Sequence, residues 1–176
     1  DRREAAGGDV GGAGRGLDRD AVDRRQVAQG HDQRAAAGGG GVERLRIAIV
    51  SDAWRPQING VVRTIETVSQ LLGAQGHDVE VFGPDRFHTL PCPTYPEIRL
   101  SLFPSARLAH MLKLFAPDAI HLVTEGPLGW AARAFCLKRN IPFTTAYHTR
   151  FPEYVHARIR LPVSWSYAFV RRFHAP

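Results

Sequence analysis

Short apolar runs alternate with amphipathic stretches between residues 45 and 176, and this pattern predicts an α/β fold built on a parallel sheet. The run Leu45–Ser51 is almost continuously apolar, as in a strand buried on both faces. A helical stripe follows, and a second strand, Asp78–Phe82, stops at Gly83-Pro84. Strand, helix and strand in this order form a right-handed βαβ unit. We therefore expect a Rossmann-like parallel sheet with helices on both faces.

The first helix is predicted after a polar loop, Asp52–Gly60, because apolar residues then recur at helical spacing. The stripe consists of Val61, Ile65, Val68 and Leu72, widened by Val62 and Leu71. Gly73 or Gly76 is the expected C-terminal cap.

The remaining elements continue the alternation. Residues 84–97 are rich in proline and are predicted to be a loop, followed by a short strand at 97–101. Helices are predicted to begin at Pro104 and Pro127 and to cover 161–173. Further strands are expected at 118–123 and 142–147. The helix faces predicted to be buried comprise Leu108, Met111, Leu112 and Phe115 in one helix and Leu128, Ala131, Ala132, Phe135 and Cys136 in the next.

Residues 1–44 differ in composition, with repeated glycines, many Arg and Asp, and few apolar residues. Such a segment buries too little surface to offset its ordering entropy. We interpret it as a disordered low-complexity extension, either a solvated tail or the product of a misread start. It lacks the apolar core of a signal peptide, and its mixed acids disfavour a transit peptide. The folded unit is then 45–176.

The net charge of +6 comes almost entirely from arginine. It reflects either codon bias or an affinity for phosphates, anionic lipid or nucleic acid. The basic residues form no single run, which disfavours nucleic acid. Cys92 and Cys136 lack metal or redox spacing, which favours reduced thiols in a cytoplasmic protein. No apolar run approaches the ~20 residues of a membrane span.

Polar side chains collect after three predicted strands, at their carboxyl ends, where parallel sheets bind ligands. Asn59-Gly60 is either a tight turn or a helix start that faces a phosphate. Glu125 either complements a helix dipole or contacts a substrate hydroxyl. His148 is either a structural histidine or a residue that contacts a sugar hydroxyl or a leaving phosphate, and its place at the end of a strand favours the contact. The residues that follow the three strands are, in chain order, Asp52, Trp54, Arg55, Gln57, Asn59 and Gly60; Thr124, Glu125 and Gly126; and His148, Thr149, Arg150 and Glu153.

The glycine pattern argues against a dinucleotide enzyme. One glycine stands where a dinucleotide fingerprint needs three, and the second strand ends in Phe-Gly-Pro, with no acid placed to bind a ribose. A nucleotide-cofactor oxidoreductase is therefore disfavoured.

Three stretches together resemble a known family: SDAWRPQINGVVRT, GHDVEVFGP and PDAIHLVTEGPLGWAARAFCLKRNIPFTTAYHTRFPEY. They resemble the N-terminal domain of the retaining glycosyltransferases of family 4, in particular its α-mannosyltransferase and sulfoquinovosyl- or digalactosyl-lipid branch. The resemblance covers residues 45–176 and implies half of a GT-B fold, in which two Rossmann-like domains face each other across a cleft.

The resemblance implies that this half binds mainly the acceptor, while a C-terminal domain binds the nucleotide-sugar. It implies transfer of a hexose, such as mannose from GDP-mannose, with retention of configuration and with neither metal nor other cofactor. Gly60, with Asn59 beside it, matches the loop that approaches the donor diphosphate, and His148 matches a histidine at the cleft. The residues then expected to bind the acceptor are Asp52, Trp54, Arg55, Gln57, Thr124 and Arg150.

The sequence departs from the family pattern in two ways. Some members carry a His-Glu-Pro step where this chain has Thr124-Glu125-Gly126-Pro127. Either Glu125 or His148 then supplies the polar contacts, or the substrate's own phosphate takes the acceptor proton. The C-terminal donor domain is also missing, so we expect the chain as given to be truncated and nearly inactive.

The partners predicted from the resemblance are a nucleotide-sugar and a lipid or glycan acceptor. A basic, aromatic rim further predicts a peripheral contact with an anionic membrane, at the inner face of the plasma membrane. The alternative function is a non-catalytic fragment or binding module.

Overall fold

The computed structural model describes residues 43–92, 95–147 and 163–175. The helices and strands in chain order are β1 Arg46–Val50, α1 Gly60–Ala74, β2 Asp78–Phe82, a 3-10 turn Pro84–Arg86, β3 Thr89–Cys92, β4 Tyr95–Ser101, α2 Ser105–Phe115, β5 Ala119–Leu122, α3 Pro127–Arg139, β6 Thr144–Thr145 and α4 Val163–His174.

Four strands form a parallel sheet in the order β2-β1-β5-β6. The chain leaves β1 towards β2 on one side and later returns to β5 on the other side. The carboxyl edge between β1 and β5 is therefore the point at which the strand order reverses, where open α/β sheets bind ligands. The predicted fold class is confirmed.

Alternate residues of β1 face two apolar cores, as the two-residue period of a strand requires. Ala48 and Val50 face the larger core, which includes buried residues of α2, α3 and α4. Ile49 faces a smaller core against α1. Cys136 is fully buried in the larger core, and burial raises the pKa of its thiol to about 12. Helices therefore cover both faces of the sheet.

Helix α1 buries only part of its predicted stripe. Val62 and Ile65 are buried, whereas Val68 is 41% exposed and Leu71 is 59% exposed. A helix of 15 residues extends about 22 Å, while a strand of five residues extends about 16 Å. The last turns of α1 therefore project beyond the sheet. Gly76, with φ of +92°, follows the helix, in agreement with the predicted glycine cap.

The proline-rich stretch 84–97 was predicted to be a loop, and this prediction is wrong. It contains the 3-10 turn, β3 and the start of β4, which pair as an antiparallel hairpin outside the main sheet. The strand predicted at 97–101 is thus part of this hairpin. A two-stranded sheet consists only of edge strands, where proline is tolerated because its missing N–H can face away from the partner.

The strand predicted at 142–147 is also shorter than expected. Only Thr144 and Thr145 pair, with His121 and Leu122 of β5. Because β5 itself has four residues, few partners are available to β6.

Helix α4 docks on the larger core. Phe173 is fully buried, and its ring meets Trp130 of α3 edge-on at 5.3 Å. Arg133 donates to the carbonyl oxygens of Phe173, over 2.9 Å, and Ala175. These contacts bring the C-terminal end of α4 to the carboxyl edge of the sheet.

Candidate active site

The loops that follow β1 and β5 are joined at the carboxyl edge of the sheet. The backbone N–H of Asp52 donates to Thr124 Oγ1 over 2.6 Å. The Thr124 hydroxyl in turn donates to Asp52 Oδ2 over 2.9 Å. This reciprocal pair fixes the two loops at the point where the strand order reverses.

The Asp52 carboxylate also caps helix α3. It accepts hydrogen bonds from the backbone N–H groups of Leu128, over 2.8 Å, and Gly129, over 3.2 Å. A helix N-terminus presents unpaired donors and a positive dipole end, and both favour a carboxylate there. Asp52 is only 5% exposed, so its carboxylate is committed to the protein.

Two glycines let the Asp52 carboxylate approach the helix. A Cβ atom at Gly126 would lie 2.4 Å from the carboxyl carbon of Asp52. A Cβ atom at Gly129 would lie 1.9 Å from the carbonyl oxygen of Thr124. Both distances are far below van der Waals contact. We call these four residues, Asp52, Thr124, Gly126 and Gly129, the Asp52 clasp.

Two opposing influences act on the pKa of Asp52. Burial raises it above its ordinary value of 3.8. Backbone hydrogen bonds from Leu128, Gly129 and Gly126, with the Thr124 hydroxyl, oppose that rise because they stabilise the carboxylate.

The loop between β1 and α1 is held by its own side chains. Gln57 is buried, and its Nε2 donates to the carbonyl oxygen of Asp52 over 3.3 Å. Its Oε1 accepts from Asn59 Nδ2 over 3.1 Å. Asn59 Oδ1 accepts from the backbone N–H of Val62 over 3.0 Å and so caps α1. The side chains of Gln57 and Asn59 therefore shape the loop.

Gly60, the first residue of α1, stands in open space. It is exposed, and no heavy atom lies within 4 Å of the position that a Cβ would take. Its φ is outside the positive range in which glycine is needed. The first turn of a helix offers N–H groups with no partner inside the helix. The fold of the described residues thus leaves an unobstructed helix start at this edge.

A shallow groove of about 400 Å³ lies beside the start of α1. Arg55 in its wall pairs with Glu66 at 2.8 Å and lies over the Trp54 ring. Arg63 is exposed, and within the described residues no acid pairs with it. The residues that line the groove are Arg55, Pro56, Gln57, Ile58, Val62, Arg63 and Glu66.

Glu125 is tied to the last turn of α4. Its Oε1 lies 3.1 Å from His174 Nε2, and the other ring nitrogen, Nδ1, lies 2.8 Å from Thr145 Oγ1. The side chains of Glu125 and His174 are 15% and 23% exposed. One imidazole thus connects the loop after β5, the end of β6 and helix α4.

Comparison with known proteins identifies the family. The profile of Glycosyltransferase Family 4 matches residues 58–176, which is more than half of the chain. The chain belongs to glycosyltransferase family 4. This finding confirms the resemblance stated from the sequence, and the family is one of glycosyltransferases.

Several curated relatives match parts of the chain. A GDP-mannose-dependent alpha-mannosyltransferase of Mycobacterium tuberculosis is 27% identical, over 74% of this chain and 39% of the relative. An alpha-monoglucosyldiacylglycerol synthase of Acholeplasma laidlawii is 32% identical, over 64% and 32% respectively. A sulfoquinovosyl transferase of Arabidopsis thaliana is 34% identical, over 44% and 14%. The chain therefore spans well under half of the length of these relatives. No solved structure matches it.

The structure places most of the predicted site residues of this family 4 chain on one edge. Asp52, Gln57 and Thr124 lie there, but their polar groups bond within the protein. Trp54 is half-buried against the smaller core. The more open positions are Arg55, Asn59 and Gly60. The predicted roles of all these residues stay predictions, and His148 and Arg150 lie outside the described residues.

Sequence reasoning missed three residues of this edge. Gly129 was read as part of a helix, although a glycine two residues after Pro127 was a signal of close packing. Thr145 was read only as a strand residue. His174 shows no metal-ligand spacing in the sequence, and no local pattern could reveal its contact with Glu125, 49 positions away.

The part of the chain that the structure describes contains neither a cluster of metal ligands nor a membrane-spanning helix. No group of three or more His, Cys, Asp or Glu side chains there is arranged to hold a metal ion. Among the same residues, no helix combines the length and the apolar composition that crossing a bilayer requires.

Proposed function

We propose that the protein carrying this chain transfers a hexose from a nucleotide-sugar to an acceptor, with retention of configuration, and that this domain is its acceptor-binding half. Family membership supports the reaction class. The donor we propose is GDP-mannose, which is named for the relatives from Mycobacterium tuberculosis and Mycolicibacterium smegmatis. The observation that carries the proposal is the open start of α1 at Gly60.

Gly60 is proposed to face the donor diphosphate. The start of a helix attracts anions through its N–H groups and dipole. Asn59 caps that helix, so its side chain holds the turn while the backbone of Gly60 stays accessible. Neither a close contact nor a positive φ among the described residues requires a glycine at position 60. This supports a ligand outside these residues that occupies the space a side chain would fill.

The groove beside α1 is proposed to take the acceptor. Arg63 contributes a positive charge that no acid among the described residues neutralises, while Glu66 is occupied by Arg55. Ile58, which is largely exposed, adds an apolar surface. A positive, partly apolar groove suits a lipid with an anionic or hydroxyl-rich headgroup. The Acholeplasma laidlawii relative is named as an alpha-monoglucosyldiacylglycerol synthase, which supports a lipid acceptor.

Glu125 is the described residue proposed to act on the reacting groups. In the reaction, the bond between the sugar C1 and the diphosphate oxygen breaks, and a bond from C1 to the acceptor oxygen forms. The acceptor hydroxyl gives up its proton to Glu125, to His148 or to the leaving diphosphate. Neither metal nor other cofactor is proposed to take part.

Helix α2 carries a surface that fits an anionic membrane. Residues 98–117 contain no Asp or Glu. Arg107, His110 and Leu114 follow one another at helical spacing, and Leu114 is 71% exposed. Phe103, just before the helix, is 94% exposed. We propose that this face, called the α2 face, rests on anionic lipid while the groove receives a lipid acceptor. The α2 face consists of the exposed residues Phe103, Arg107, His110, Lys113 and Leu114.

The proposed function is tested with two matched glycine variants of α1, Gly60→Leu and Gly73→Leu, in the full-length protein. Both positions are exposed and have open space around a Cβ, so both variants should fold. We expect Gly60→Leu to lower transfer of radiolabelled mannose from GDP-mannose to a lipid extract by about tenfold or more, because its side chain displaces the diphosphate. Gly73→Leu should transfer normally.

Other outcomes of this experiment decide between the alternatives. Equal transfer by both variants would remove Gly60 from the donor site. If folded wild-type protein transfers no sugar from any nucleotide-sugar, the proposal that it is an enzyme is overturned. Acceptor binding without transfer would favour a binding module. His148→Ala in the same assay tests the predicted role of His148.

A further inference from the structure

We propose that His174 is a positioning residue that holds the Glu125 carboxylate at the carboxyl edge of the sheet, in a tautomer fixed by Thr145. What Glu125 then does in transfer rests on the proposed function. The hydrogen-bonded arrangement itself does not, so the two can be tested separately.

The hydrogen bonds of the imidazole select one neutral tautomer. A carboxylate only accepts hydrogen bonds, so His174 Nε2 must carry the proton that it shares with Glu125 Oε1 over 3.1 Å. Nδ1 is then an acceptor in the neutral ring. The Thr145 hydroxyl, 2.8 Å away, can donate to it. All three groups have hydrogen-bond partners when Thr145 donates to His174 and His174 donates to Glu125.

The His174 ring is also held by its neighbours. The rings of Phe173 and Tyr147 meet it edge-on, with centroids at 5.2 Å and 6.0 Å. These contacts restrict the rotation of the imidazole. The carboxylate oxygen that it binds is therefore fixed relative to β6 and α4 together.

The arrangement leaves one carboxylate oxygen for a ligand. Glu125 Oε1 is bonded to His174, whereas Oε2 accepts no hydrogen bond within the described residues. Glu125 follows β5 at the same edge as the open start of α1. A group oriented through one oxygen presents the other in a defined direction, which is how positioning contributes to catalysis.

The main competing explanation is that His174 merely anchors α4. The helix already has stronger anchors, because Phe173 is fully buried and Arg133 binds the carbonyl oxygens at its C-terminal end. The hydrogen bond between His174 and the Glu125 carboxylate, in the loop after β5, comes in addition to these anchors. We therefore assign to the His174–Glu125 hydrogen bond the orientation of the Glu125 carboxylate.

The first test measures the tautomer by nitrogen NMR of His174 in the full-length protein, at a pH where the ring is neutral. We expect a protonated Nε2 and an unprotonated Nδ1. Thr145→Val keeps the β-branched shape but removes the hydroxyl, and it should shift the His174 signals or mix the tautomers. A His174 with its proton on Nδ1, or with signals unchanged in both Thr145→Val and Glu125→Gln, would overturn the proposal.

The second test is a double-mutant cycle on sugar transfer, with Glu125→Gln, His174→Ala and both together. His174→Ala should lower kcat by roughly 10- to 100-fold with little change in KM for the donor. His174→Gln, whose amide can still donate to Glu125, should recover part of that loss. In the Glu125→Gln background, His174→Ala should change kcat little.

The outcomes separate the two proposals. Independent losses that multiply in the double mutant, with thermal stability lowered in parallel, would show that His174 only supports the fold. Absence of transfer by the wild-type protein would overturn the proposed function, and the tautomer measurement would still decide whether His174 holds Glu125.

Discussion

Asp52 has more polar contacts than any other residue of the candidate site. It was expected to face an acceptor, yet its carboxylate accepts from Leu128, Gly129 and Thr124. A carboxylate at the surface accepts hydrogen bonds from water or a ligand. The Asp52 carboxylate instead accepts from backbone N–H groups at the helix start that have no partner within the helix. Its contribution to function therefore comes through the geometry of the two loops that it joins.

Replacement of Asp52 should lower the free energy of unfolding. Asp52→Ala removes a helix cap and leaves the buried N–H groups of Leu128 and Gly129 without an acceptor, so we expect a loss of about 2 kcal/mol or more. Urea unfolding measures it. Asp85→Ala, at an exposed position in the 3-10 turn, is the control and should stay within about 0.5 kcal/mol. Similar small losses for both variants would contradict the Asp52 clasp.

At the scale of elements, the position of helix α3 depends on the close approach of its first turn to the loop after β5. Pro127 starts the helix and Gly126 precedes it, as in many helices. Gly129 is different, because it lies inside the first turn and touches the Thr124 carbonyl. The helix can take up the Asp52 carboxylate only while this position lacks a side chain.

Two glycine-to-alanine substitutions should therefore change stability in opposite directions. Gly129→Ala forces a Cβ into the Thr124 carbonyl, and we expect a loss of about 2 kcal/mol, typical of overpacking. Gly73→Ala in α1 meets no atom and should gain about 0.5–1 kcal/mol from helix propensity. Thermal unfolding of both variants checks this. A neutral Gly129→Ala would show that α3 can shift away from the loop.

At the scale of the whole molecule, basic charge and exposed apolar side chains coincide on the α2 face. The net charge of +6 alone does not select a partner. The absence of acids from residues 98–117 concentrates positive potential there, beside Phe103 and Leu114. Such a combination suits the anionic, partly apolar interface of a membrane.

Charge reversal at two lysines tests this surface. Lys113 and Lys138 both lie in the last turn of a helix, but only Lys113 belongs to α2. Lys113→Glu should weaken binding of the full-length protein to phosphatidylglycerol vesicles at low salt by roughly tenfold, because each basic side chain contributes about 1 kcal/mol and reversal adds repulsion. Lys138→Glu should have a smaller effect. Cosedimentation measures both, and equal effects would indicate attraction by net charge alone.

The sequence alone determined the parallel α/β fold, because strands buried on both faces are apolar along their length and amphipathic helices alternate with them. It predicted β1, β2 and the buried faces of α2 and α3, since these patterns are local. It also placed the polar loops at one edge, because the carboxyl ends of parallel strands must coincide. It did not predict the hairpin of β3 and β4, since proline is excluded from central strands but not from edges.

Only the tertiary structure decided what the polar residues of the edge do. Whether Asp52 faces solvent or α3 depends on a contact across more than 70 residues, and no local spacing encodes it. The same holds for His174 and Glu125, which α4 brings together by docking its aromatic face on the core. A sequence shows which side chains can accept or donate a proton, but folding determines which of them are already paired and which remain for a ligand.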